Sequence, residues 1–125
     1  MTYIARVLGD RVQLQQVVLN LNMNALDAVS ALTEGPREIV IQTSLSDHHD
    51  LLTAVRDSGV GFSEEGLRSI FDPFFTTKPH GIGIGLSISR SIVEVHSGRL
   101  WAARNDDAPG ATITFMLPLH EPPHG

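Results

Sequence analysis

Three stretches of this 125-residue chain carry residue types whose spacing could hold a ligand. The first is a run of polar side chains, Gln13, Gln16, Asn20, Asn24 and Asp27. On a helix, at about 100° per residue, they fall on one narrow stripe, expected opposite the apolar stripe. A solvated face would normally be filled with Lys and Glu. This one is rich in amides, and asparagine is a poor helix former. A carboxamide oxygen is a neutral, hard donor suited to a phosphate–magnesium unit. The second is Asp57-Ser58-Gly59-Val60-Gly61, at the end of an apolar run. There a carboxylate can accept from an exocyclic amine, and glycines let a flat ring approach the backbone. The competing reading is an ordinary Gly-rich turn.

The third is Gly81-Ile82-Gly83-Ile84-Gly85-Leu86, which runs straight into a helical pattern. Backbone N–H groups at such a helix start, with the positive end of the dipole behind them, cradle phosphate. The string lacks both the preceding buried strand of a dinucleotide fold and the Lys-Ser or Lys-Thr of a P-loop. Just before it, Phe71-Asp72-Pro73-Phe74-Phe75-Thr76-Thr77-Lys78 offers aromatics and one lysine, either core packing or a lid over a bound phosphate chain. His48 and His49, between Asp47 and Asp50, have a metal reading and a solvated-loop reading, and the loop favours the second. His96, at a helix end, reads as a dipole partner.

These residues need a frame, and the pattern supplies one. An apolar stretch over 3–8 reads as a strand. Asp10 followed by Gln13 resembles a capping box, and Leu14, Val17, Val18, Leu21, Ala25, Val29 and Leu32 repeat at helical spacing until Glu34-Gly35-Pro36. Strands are expected over 38–45 and 51–56, then a short helix from Ser63 towards Phe71. A helix follows over 86–96, with Ile88, Ile92 and Val95 on one face and Gly98 past its end. Two last strands, 99–104 and 111–117, are joined by a turn. The fold class is α+β: a two-layer α/β sandwich. Its mixed, mostly antiparallel sheet of about five strands is covered on one face by helices, leaving the other for a partner domain.

Composition narrows the function. Nine Lys and Arg against fourteen Asp and Glu give a net charge of −5, the wrong sign for a nucleic-acid partner. There are no cysteines, so disulfides, thiolate metal sites and cysteine catalysis are excluded. No apolar run reaches membrane-spanning length and no leader follows Met1, so no membrane contact and a cytoplasmic location are expected. An acidic chain that binds phosphates must use local backbone N–H groups and a counter-cation.

Taken in order, Asn20-x-x-x-Asn24-Ala25, Asp57-x-Gly59-x-Gly61, Phe71-Asp72-Pro73-Phe74 and Gly81-x-Gly83-x-Gly85-Leu86 resemble the four boxes of the catalytic, ATP-binding domain of sensor histidine kinases. This is the superfamily shared with gyrase, the Hsp90 chaperones and MutL. Asn24-Ala25-Leu26-Asp27-Ala28 and Phe75-Thr76-Thr77-Lys78 look most like the nitrogen-regulation and oxygen-sensing branch. The resemblance implies a domain over 1–118 with a loose tail over 119–125, and ATP and Mg2+ as cofactors. Asn24 would coordinate magnesium, Asn20 the phosphate side, and Asp57 the adenine amine, with Gly59 and Gly61 shaping its pocket. Gly81, Gly83, Gly85 and the N–H of Leu86 would hold the phosphates, and Lys78 would approach from the lid. Asp27, Phe75, Thr77 and Thr112 complete the implied nucleotide site, with Asn20 and Lys78 as its catalytic pair.

One position argues for transfer over hydrolysis. Gyrase and chaperone relatives have a water-activating glutamate four residues before the magnesium asparagine; here Asn20 stands there and cannot act as a base. In the last strand Ala111 precedes Thr112 where the family often places a threonine, and the span from Thr77 to Gly81 is short. None of His48, His49, His80, His96, His120 or His124 has the setting of a phosphoacceptor. The implied partners are therefore a separate dimerisation and phosphoacceptor domain of the same protein, and a downstream response regulator. The alternatives are a stand-alone serine kinase of the anti-sigma type, a nucleotide-sensing module without catalysis, and a hydrolase, which Asn20 disfavours.

Overall fold

The computed structural model describes residues 9–71 and 85–119. The strand expected over 3–8 lies outside them. Helix α1 spans Arg11–Ser30, followed by strands β1 (Ile39–Leu45) and β2 (Asp50–Asp57). Helices α2 (Glu64–Ser69) and α3 (Gly85–Val95) come next, then β3 (Arg99–Arg104) and β4 (Ala111–Pro118). The four strands form one sheet in the order β1-β2-β4-β3, and all three pairings are antiparallel.

Helix α1 starts where the sequence placed it, because Asp10 Oδ1 accepts the N–H of Gln13 at 3.0 Å. It ends at Ser30, ahead of Leu32. There Arg37 turns back and donates to the carbonyls of Val29 and Leu32, at 3.2 and 2.6 Å. Strand alternation puts the odd-numbered residues of β2 and β4 and the even-numbered Leu100 and Ala102 of β3 beneath the helices. Val55 pairs with Ile113 and Leu100 with Phe115, and all four are buried together with Val17, Leu21 and Ala25 of α1 and Val93 of α3.

Helix α3 is turned differently from expectation. Ile88 and Val95 are 41% and 79% exposed, whereas Ser89 and Val93 are fully buried. Two stripes of helical spacing compete here, and the stripe through Ser89 wins because its hydroxyl finds a partner inside. The left-handed residue that closes the helix is Ser97 (φ 67°), and the N–H of Gly98 returns to the carbonyl of Val93 at 2.9 Å. His96 does bond its own helix end, with Nδ1 2.7 Å from the Ile92 carbonyl. Its Nε2 also accepts the N–H of Asp10 at 3.0 Å, which ties the end of α3 to the start of α1. Phe71, the first aromatic of the segment read as either core packing or a lid, packs partly against the core, with the Arg90 guanidinium 4.9 Å from its ring centre.

Candidate functional site

The amide stripe of α1 borders the buried stripe instead of lying opposite it. Asn20 stands about 60° round the helix from buried Val17, and Asn24 about 60° from buried Leu21, at 100° per residue. Both asparagines are half-buried, whereas Gln13, Gln16 and Asp27 are exposed. Asn20 Nδ2 donates to Ser89 Oγ of α3 at 3.0 Å, and Asn20 Oδ1 accepts from Gln16 Nε2 at 2.8 Å. The stripe therefore faces a neighbouring helix.

Two contacts fix the register of that pair of helices. Asp10, at the start of α1, bonds His96, just past the end of α3, and Asn20 bonds Ser89. The helices are thus antiparallel. From Asn20 to Asn24 and from Ser89 back to Gly85 are four residues each, about 6 Å at 1.5 Å per residue. Asn24 accordingly comes level with the start of α3, the end where the positive pole of the dipole lies. Gly85 and Leu86 open that helix.

One turn further along α1, Ala28 meets the second motif. A Cβ on Gly59 would lie 2.6 Å from the carbonyl oxygen of Ala28 and 2.7 Å from its Cβ, so only glycine lets this turn press against the helix. Asp57, at the end of β2, shares the helix-covered face with Val55 and is only 4% exposed. Its Oδ1 accepts the N–H of Gly59 at 2.9 Å. Burial pushes the Asp57 carboxyl above the ordinary carboxylate range, and backbone N–H groups of Gly59 and Ala111 oppose that rise. Asn105 Nδ2 holds the Asp57 carbonyl at 3.0 Å, and Gly110 (φ 107°) packs against that same carbonyl, where a side chain would not fit.

Thr112 does not join this group. Strand parity puts it on the opposite face of β4 from buried Ala111 and Ile113, and its hydroxyl donates to Asn105 Oδ1 at 2.7 Å. It is Ala111, through its backbone, that reaches Asp57. Phe75, Thr77, Lys78, Gly81 and Gly83 lie outside the described residues. Ser89 was missed by sequence reasoning. Its signal was a small polar residue four before Val93, on a stripe otherwise suited to the interior. His48 and His49 are exposed, and among the described residues no three His, Asp or Glu side chains gather as a metal site. Nor, among them, is any helix long and apolar enough to cross a membrane.

The arrangement packs α1 and α3 side by side, with a buried acid beyond one end of the pair and two carboxamides of α1 along the seam, Asn24 beside the start of α3. Residues 9–121 match the profile of the histidine kinase-, DNA gyrase B-, and HSP90-like ATPases. The chain is 46% identical over 112 residues to the sensor protein FixL of Bradyrhizobium diazoefficiens, covering 90% of this chain and 22% of that one. The catalytic domain of histidine kinase ThkA superposes with a TM-score of 0.74 at 36% identity, covering 90% of this chain and 70% of that one. Full-length ShkA in complex with AMPPNP gives 0.77 at 25% identity, covering 93% and 23%. The chain spans 12 to 24% of the length of the curated relatives it matches. A profile match over nearly the whole chain, joined to a shared fold, places this protein in the family of histidine kinase-, DNA gyrase B- and HSP90-like ATPases.

Proposed function

We propose that the site along the seam of α1 and α3 binds Mg-ATP. In a longer sensor protein, the domain then donates the γ-phosphoryl group to a histidine on a separate dimerisation and phosphoacceptor domain, upstream of a response regulator. The observation that carries this reading is the antiparallel register of the two helices. It sets the Asn24 carboxamide level with the positive end of α3, while Asp57 stays buried a turn away beside Gly59.

Each group has a task that its surroundings suit. The Asp57 carboxylate accepts from the adenine amine, and Gly59 and Gly61 leave room for the ring. The donor set fits magnesium in that Asn24 offers a hard, neutral oxygen beside a pole that favours phosphate, leaving most of the coordination to phosphates and water. When bound, the ion would neutralise phosphate charge. Asn20 holds the phosphate side without acting as a base, so water is not activated and transfer to another protein group is favoured. Gly85 and the N–H of Leu86 supply the helix-start contacts, and Gly81, Gly83 and Lys78 would complete the phosphate cradle from the segment before it. Asp27, Phe75 and Thr77 are assigned to the rim of the site. The domain takes in residues 1–118, with 119–125 as a tail, and works in the cytoplasm.

Calorimetric titration of the 125-residue chain with ATP, with and without magnesium, tests the assignment. Binding that needs the Asp57 carboxylate and tightens with magnesium is expected. A chain that binds no adenine nucleotide would refute it. Transfer of labelled phosphate to an added phosphoacceptor hairpin tests the second half, and its absence under all conditions would undo the kinase reading.

A further inference from the structure

Ser89 is a polar group placed where packing alone would not put one. It is fully buried in the middle of α3, on the side that meets α1, one turn from the equally buried Val93. A hydroxyl sealed from water is costly unless it is bonded, and this one bonds a single functional candidate. Its Oγ takes an N–H of Asn20 at 3.0 Å, from a residue 69 positions away in the chain. The other end of the same carboxamide takes an N–H of Gln16 at 2.8 Å. Gln16, one turn back on α1, thus sets where the amide lies along its own helix. Ser89 ties it across to α3.

That orientation matters because an amide has two unlike ends. Rotating it by half a turn exchanges an acceptor for a donor, which would present the wrong polarity to a phosphate–metal unit. We propose that Ser89 is a positioning residue for the phosphate half of the site: its buried hydroxyl pins the Asn20 carboxamide and locks α3, which opens at the phosphate-facing glycines, to the helix that carries Asn24. It touches no ligand itself. The inference rests on the reading of the seam as a Mg-ATP site.

The test compares the wild-type chain with Ser89→Ala, Ser89→Cys, Asn20→Ala and the Asn20→Ala/Ser89→Ala double variant. Mg-ATP and adenosine are titrated into each by calorimetry, and melting temperatures are recorded alongside. Ser89→Cys keeps the packing volume while weakening the hydrogen bond, so it reports even where Ser89→Ala loosens the fold. Both Ser89 variants are expected to weaken Mg-ATP by roughly three- to tenfold, the scale of one buried hydrogen bond, and to leave adenosine within about twofold. In the Asn20→Ala background the Ser89 change should add nothing further. Equal losses for both ligands, or effects that simply add, would mean Ser89 is only structural and would overturn the proposal. Mg-ATP affinity that both Ser89 variants leave intact, in a chain whose wild type binds it, would overturn the proposal alone. A wild type that binds no Mg-ATP would overturn the site reading and this inference with it.

Discussion

Replacing Gly59 by alanine probes the joint between the adenine end of the site and α1. The added Cβ would sit 2.6 Å from the Ala28 carbonyl oxygen and 2.7 Å from the Ala28 Cβ. Ordinary contacts fall at about 3.5–4.0 Å, so the overlap is about 1 Å. The obstacle is helix backbone, held in the middle of the fold by buried Ala25 and Val29 on either side, and it cannot swing away as a side-chain tip would. Overpacking of this kind costs about 1–3 kcal/mol. For a chain of this length that is about 4–12 °C of melting temperature, readable by circular dichroism or scanning calorimetry. The forced shift of α1 also moves Asn24, one turn away, so Mg-ATP binding should weaken by about tenfold or more, since sites that work by positioning tolerate little displacement. Gly35→Ala is the control: φ there is 88° and no atom lies within 4 Å, so it should cost about 1 kcal/mol of strain and leave nucleotide binding alone. A Gly59→Ala protein with wild-type melting and binding would refute the reasoning. So would full rescue by Ala28→Gly, which removes the methyl group and leaves the helix backbone in the way.

Asp57→Asn should lower adenine-nucleotide affinity by about tenfold or more, as expected for losing a charged partner, measured by titration calorimetry. The same change should alter how stability depends on pH. Burial raises the folded-state carboxyl above its unfolded value, so the folded state binds the extra proton first, and Asp57 favours the fold at low pH and loses that contribution as pH rises through its raised pKa. Urea denaturation of both proteins across acidic pH should show that decline in the wild type and not in the variant. Asn24→Ala should weaken ATP binding when magnesium is present and leave binding in a chelator unchanged. Arg37→Ala removes the donors to the Val29 and Leu32 carbonyls and should cost about 1 kcal/mol in urea denaturation, without touching the nucleotide.

Much of this fold could be read from local pattern, and the exceptions are informative. Helix α1 was legible because Val17, Leu21, Ala25 and Val29 repeat at helical spacing behind a capping aspartate. Strands β1 and β4 were legible from their β-branched residues, and parity along β2 puts Asp57 on the same side as Val55. The face of α3 was misjudged because the buried position is a serine, and its reason for being there is a contact 69 residues away. The same non-local bond shows why the amide stripe lies next to the buried face, where a stripe on the side opposite the apolar one was expected. Thr112 was misplaced by one residue of strand parity, which is enough to move a side chain through the sheet. The register of α1 against α3 was not legible at all, since it depends on Asp10 meeting His96 and Asn20 meeting Ser89.

That register also explains how a chain of net charge −5 can make room for a polyphosphate. Carboxylates beside the phosphates would repel the ligand, and the seam instead carries Asn20 against Ser89 and Asn24 level with the positive end of α3. A glutamate in place of Asn20 would add both a like charge and a base able to activate water; the amide adds neither. The buried acid, Asp57, is held a helical turn beyond Asn24, where Gly59 brings its turn against α1. There burial keeps the unliganded carboxylate poorly solvated despite the N–H of Gly59, so an incoming amine gains a partner that water has already been made to leave. On the proposed reading, the charge that would hinder phosphate binding is kept at the adenine end, away from the phosphates, so that one site could hold both ends of the nucleotide.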